Sequence, residues 1–299
     1  MSNKLISWII FVILCFIWGS SFILMRYSKD DLTAPQIAAV RIFSAGIVFL
    51  PLAMIHLRRI PRKKIGLVLL TGVFGNLFPA FLFAEAIARN IDSSLAGILN
   101  SLTPVCVVLI AIIFFKDKIK IQKIVGVLVG FAGLILLTVT QGNISLENIG
   151  YSLLIVAGTI SYGVNVNLVG HRLKEINPVY IATISLAFLT IPTAIVLWQQ
   201  GFHHLDFNNN RVRLAVIASA SLGIVGSAIA TALFYILVQK AGGLFASLVT
   251  YGIPFIALFW GFIYGENITI LEIICLGIIL LGVYLANRRD DRGEMLDNN

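Results

Sequence analysis

The sequence predicts an all-α integral membrane protein of ten transmembrane helices, arranged as two inverted five-helix repeats. Three observations predict it: a composition too poor in charge to coat a soluble surface, ten apolar runs of bilayer length, and motifs that recur in order in the second half. Of the 299 residues, 59% are hydrophobic and 12% charged, with a mean hydropathy of +0.96. A soluble domain carries about 25% charged residues, so most of this surface must face lipid.

A helix needs about 20 apolar residues to cross the hydrocarbon core. Such runs fall at 6–25, 35–56, 65–88, 93–115, 121–140, 149–170, 178–198, 213–238, 243–264 and 269–287. The first is long for a secretory leader and lacks a small-x-small cleavage site, so it reads as a retained span. Short loops make neighbouring helices antiparallel, and each helix satisfies its own backbone polar groups.

The net charge of +8 does not point to nucleic acid, because the basic residues cluster between spans rather than along one stripe. With a cytoplasmic N-terminus, 16 Lys and Arg fall on the cytoplasmic side, including Arg58, Arg59, Arg62, Lys63 and Lys64, and 5 on the other, with Arg41 inside a span. The bias places both termini in the cytoplasm of a multi-pass protein of the cell membrane, bacterial inner or plasma membrane. Cys15, Cys106 and Cys275 each sit in an apolar run without a CxxC partner or a suitably spaced His, so they read as packing residues rather than disulfides or metal ligands. No cofactor is implied.

The halves repeat. Span four, from Ser93 to Asp117, and span nine, from Gly242 to Glu266, each begin with small residues, carry a proline (Pro104, Pro254) and close on an acid. The following helices carry small residues spaced by seven, Gly126 and Gly133, then Cys275 and Gly282. Trp18-Gly19 in span one stands where span six has Tyr162-Gly163. Five spans per half is odd, so the second half lies upside down. Inverted repeats of this kind typify secondary transporters, with the substrate near the midplane between the halves.

Trp18-Gly19-Ser20-Ser21-Phe22, Ala39-Val40-Arg41-Ile42-Phe43, Pro104 followed by Lys116-Asp117, and Tyr251-Gly252-Ile253-Pro254 followed by Gly265-Glu266 together resemble the drug/metabolite transporter superfamily, in its EamA branch. The resemblance covers about residues 5–287 in two copies: a first repeat at 5–140 and a second at 149–287, leaving a polar cytoplasmic tail at 288–299. It implies a ten-helix carrier of small organic solutes, often amino acids or related metabolites and often outward. Two positions depart from the family pattern: Lys116-Asp117 stands where Gly-Glu is usual, and no second-half Arg matches Arg41.

Ionisable residues inside a span cost about 2.5–3.5 kcal/mol on insertion scales, so Arg41 and Glu85 are site residues by default. They are expected to face the bundle interior, pairing with each other or contacting substrate; a structural ion pair, or an Arg41 that snorkels outward, is the alternative. Asp117 and Glu266 read as solvated or capping acids at helix ends. The neutral set Trp18, Ser21, Asn76, Asn100, Tyr162, Asn165, Asn167, Ser227, Tyr235 and Tyr251 suits an apolar pocket with a few orienting groups; each also suits a plain interhelical hydrogen bond. Pro104 and Pro254 are hinge positions or static kinks. Gly126-x-x-x-Gly130 reads as a close helix contact.

No GxSxG, HExxH or P-loop is present, and His203-His204-x-Asp206 reads as a solvated loop. The expected partners are therefore a small-molecule substrate and the lipid bilayer, with a monomer or a homodimer both compatible. A membrane-embedded enzyme acting on lipid-linked substrates, or a channel or scaffold, stands as the other reading.

Overall fold

The computed structural model describes residues 3–28, 31–89, 99–140, 149–263 and 269–287. Expected features at 93–98, Glu266 and the tail at 288–299 lie outside the described residues. The described chain is helical, without strands. Helix α1 is Asn3–Ser28 and α2 is Ala34–Leu57. Helix α3 runs through Arg62–Gly72, Val73–Leu77 and Phe78–Ala88. Then come α4 (Thr103–Phe115), α5 (Ile121–Thr140), and α6, made of Ile149–Asn167 and Leu168–Arg172. Helix α7 joins Pro178–Phe188 to Thr190–Gln199, and α8 joins Asn210–Ser221, Leu222–Ile229 and Ala230–Ala241. Gly243–Ser247 and Val249–Ile263 form α9, and Ile270–Asn287 forms α10.

Among the described residues, eight of these helices are long and apolar enough to cross a membrane. The other two, α4 and α5, are apolar with shorter stretches among the described residues; α5 covers the run expected at 121–140, and the run expected at 93–115 begins outside the described residues. Met54, Phe114, Ile191 and Trp198 are each about 70% exposed on the outside of the bundle. Apolar surface of that kind is stable only against lipid or another apolar surface.

Local chemistry sets the helix ends. Thr33 and Gln36 form a capping box at the start of α2, with Pro35 in its first turn. Thr269 and Glu272 do the same before α10. In each case two orphan N–H groups are satisfied reciprocally. Lys116 ends α4 in the left-handed conformation, at φ 57°. That is a glycine-favouring position, which explains physically why Gly-Glu suits it better than Lys-Asp. Asp117 is not simply solvated: its Oδ2 lies 2.9 Å from Nε2 of His171 on α6.

The helices pack in a definite set of pairs. Helix α1 packs on α8 and α9, and α6 packs on α3 and α4. Helix α2 packs on α7 and α8, and α7 packs on α2 and α3, while α5 and α10 pair with each other. At that last seam Gly126, Gly130 and Gly282 bring the two backbones into contact, since a Cβ on Gly282 would meet the backbone of Gly130. The expected close contact at Gly126 and Gly130 is therefore present, made to α10.

The basic loops gather at one end of the bundle. Lys64 Nζ donates to the Arg172 carbonyl at 2.7 Å, and Arg59 donates to the Tyr180 hydroxyl at 2.7 Å. Gln239, beside Lys240, donates to the Leu173 and Ile176 carbonyls. A pocket of about 440 Å³ opens at this end, lined by Arg59, Lys64, Glu175, Asn177 and Tyr180 among others.

A polar core on the third helix of each half

Helices α3 and α8 share an irregularity. Val73–Leu77 and Leu222–Ile229 are π-helical, each inside an otherwise α-helical rod. Such segments widen the helix and free carbonyls from the regular ladder, and they recur at functional sites. Both sit on the same short pattern, Gly72-x-x-Gly75-Asn76 and Gly223-x-x-Gly226-Ser227. The glycines admit a neighbouring helix. A Cβ on Gly223 would strike the Arg41 carbonyl of α2, and one on Gly72 would strike the Ser185 carbonyl of α7.

Helix α8 then presents Ser227, Thr231 and Tyr235, four residues apart and so on one face. Each engages a different helix. Ser227 Oγ accepts from Arg41 Nε at 2.8 Å. Thr231 Oγ1 donates to Asn76 Oδ1 at 3.2 Å. The Tyr235 hydroxyl donates to Asn165 Oδ1 at 3.1 Å and reaches the Thr71 carbonyl at 3.4 Å. Just before this stripe, Trp18 Nε1 of α1 donates to the Gly226 carbonyl at 2.9 Å. Ser21, one turn on from Trp18, is buried beside Gly226 and bonds its own helix at the Ile17 carbonyl.

Arg41 and Tyr162 lie deep in protein and interact electrostatically across the bundle. Both nevertheless keep partly accessible surface. Tyr162 also faces the Phe83 ring at 6.1 Å, and Trp18 the Phe234 ring at 5.4 Å. Among the described residues Arg41 has no carboxylate partner. Asn76 is 7% exposed, and its Nδ2 is buried without a partner there.

The structure thus brings together Trp18, Ser21, Arg41, Asn76, Tyr162, Asn165 and Tyr235. It leaves others apart. Glu85 does not pair with Arg41: its carboxylate meets Arg89 at 2.8 Å, one turn along the same helix, with both side chains at least 41% exposed. That bond raises the Arg89 guanidinium above its ordinary pKa, with Tyr151 adding to the shift. A nearby partner in water satisfies the acid at little cost, so Glu85 has no need to enter the core. Asn100 sits beside α6, where Thr159 donates to the Leu99 carbonyl, and its Oδ1 is buried without a described partner. Asn167 is committed to the Val107 and Gly163 carbonyls.

Tyr251 stands against Gly130 of α5 and donates to the Val127 carbonyl at 2.8 Å, away from the α8 stripe. It thereby joins α9 to α5. Tyr251→Phe is expected to cost about 0.6 kcal/mol of stability, the average for a membrane hydrogen bond, and to leave the KM for transport unchanged. A several-fold rise in KM in a vesicle uptake assay would return Tyr251 to the site. Pro254 lies inside α9, as expected. Pro104 is not mid-helix: it occupies the first turn of α4, where its missing N–H costs nothing. Sequence reasoning left Thr71, Thr231 and the π segments of α3 and α8 unassigned; the repeated Gly-x-x-Gly followed by Asn or Ser is the signal that finds these two segments.

Membrane-length apolar helices around a buried cation, unpaired amides and aromatic rings define a multi-pass membrane protein with a polar core. The chain belongs to the EamA-like transporter family, whose profile matches residues 6–139 and 149–288. It is 25% identical over 285 residues to an uncharacterized transporter of Archaeoglobus fulgidus, covering 95% of this chain and 99% of the relative. It is 26% identical to the uncharacterized inner membrane transporter YedA of Escherichia coli, covering 90% and 87%. It is 24% identical to the chloroplastic WAT1-related protein At3g02690 of Arabidopsis thaliana, covering 94% and 69%. A crystal structure 17% identical to this chain shares the fold at a TM-score of 0.73, covering 97% and 99%. This is a family of multi-pass transporters, not of enzymes, and the membrane-enzyme reading is set aside.

Proposed function

We propose that this protein is a secondary carrier of a small organic solute, an amino acid or related metabolite, exported by alternating access between two inverted five-helix halves. The observation that carries the reading is the convergence of α1, α2, α3 and α6 on the polar stripe of α8. Helices of both halves meet there, and a carrier must hold its solute where its two halves meet. On this reading Trp18, Arg41, Asn76, Tyr162 and Asn165 line the pathway, and Pro254 remains a hinge position.

The helix pairs support the inverted repeat. Exchanging α1 with α6, α2 with α7, α3 with α8, α4 with α9 and α5 with α10 maps α1–α8 onto α6–α3, α1–α9 onto α6–α4 and α2–α8 onto α7–α3, and keeps α2–α7 and α5–α10 in place. Gly19 packs on α9 and Gly163 on α4, as that exchange requires. The basic loops at one end of the bundle support cytoplasmic termini in a cell membrane.

Purified protein in liposomes, offered radiolabelled amino acids and related metabolites with and without a pH gradient, tests the proposal. The expected result is saturable uptake of at least one solute, accelerated by the same solute on the far side. A continuous conductance instead of saturable exchange would favour a channel, and no movement across the whole panel would overturn the carrier reading.

A further inference from the structure

Arg41 is a permanent cation within a bundle whose surroundings penalise it unless an anion is near. Among the described residues no acid meets it, and only its Nε is committed, to Ser227. Its two Nη groups are left on a side chain that retains accessible surface deep in the protein. The Asn76 amide Nδ2 is a second donor, buried and unpaired. Ser227 and Thr231 hold these two side chains on α8, four residues and so about 6 Å apart along the helix. Tyr162 of α6 lies within electrostatic range of the same guanidinium. Arg41, Asn76 and Tyr162 thus bring donors from α2, α3 and α6 to one region of the bundle, and the Arg41 Nη groups and the Asn76 Nδ2 have no acceptor among the described residues.

We infer that this region takes the carboxylate of the transported solute. A planar carboxylate accepts two parallel N–H bonds from a guanidinium and retains lone pairs for an amide and a hydroxyl. The Trp18 and Phe234 rings, beside the same stretch of α8, receive the solute's apolar part. The arrangement selects by charge: an amine or an amide of the same shape leaves Arg41 without a counterion, and a cation is repelled. The inference rests on the carrier reading and narrows its substrate to small carboxylates with an apolar body.

The test needs no variant at first. Wild-type protein in liposomes is given matched sets of labelled solutes: L-leucine and L-phenylalanine, their 2-oxo acids, the amides of each amino acid, the corresponding decarboxylated amines, and a neutral sugar. The acids are expected to move at least ten-fold faster than their amides or amines. Arg41→Gln is expected to raise the KM for acids at least ten-fold, and Arg41→Lys to recover part of the loss. A structural Arg41 would instead lower kcat and thermal stability for every solute alike. Equal rates for acids and amides, or acid transport by Arg41→Gln at the wild-type KM, overturns the inference. Movement of the sugar or the amines alone overturns it while leaving the carrier reading intact. If nothing moves, both fall.

Discussion

Leucine in place of Gly282 is expected to lower the unfolding temperature of the detergent-solubilised protein by roughly 5–10 °C, from a loss of about 3 kcal/mol. Leucine at Gly277, on the same helix, is expected to leave it unchanged. The two glycines differ only in what surrounds them. A Cβ on Gly282 would meet the Gly130 backbone and the Gly126 carbonyl, while one on Gly277 has nothing within 4 Å. Backbone cannot rotate away as a side chain can, so α5 and α10 would have to separate along their shared seam. Lipid supplies no hydrophobic drive to hold them, and membrane helices associate through such close packing. A fluorescence melting curve of both variants decides the matter. An unchanged Gly282→Leu midpoint would mean that this seam does not hold the fold.

Asn165→Leu is expected to cost about 2 kcal/mol, more than the average membrane hydrogen bond, and Tyr235→Phe to cost less. Tyr235 is fully buried, and Asn165 is its better partner at 3.1 Å, the Thr71 carbonyl lying at 3.4 Å. Removing the amide alone leaves a buried hydroxyl with only its longer contacts. Removing the hydroxyl alone strands the Asn165 oxygen, in a side chain 3% exposed. The double replacement strands neither, so most of the lost stability should return, a coupling that a double-mutant cycle reads directly. Transport should not return with it if Asn165 lines the solute pathway. Strictly additive losses would show that the two side chains do not act as a pair.

The site was only half legible in the sequence. Arg41 and the neutral polar residues could be picked out because polar atoms are conspicuous in apolar runs. Which of them converge could not be read. Glu85 looked as intramembrane as Arg41, but its partner is Arg89, one helical turn away. Tyr251 looked equivalent to Asn100 by its place before a proline, yet it is spent on α5. Tyr235 and Asn165 are 70 residues apart in the chain and became one site only when α6 and α8 met.

The fold class and the membrane setting were determined by the sequence alone, because hydropathy and charge are sums over residues and need no neighbours. The likeness between the halves was legible too, since repeated spacing is a one-dimensional signal. The tertiary structure decided what depends on distance between helices: the π segments of α3 and α8, the glycine seam of α5 with α10, and the stripe that gathers Arg41, Asn76 and Asn165. A helix's own sequence records which residues share its face. Only packing brings another helix's Arg, Asn or Trp to that face, and the choice among polar residues is made there.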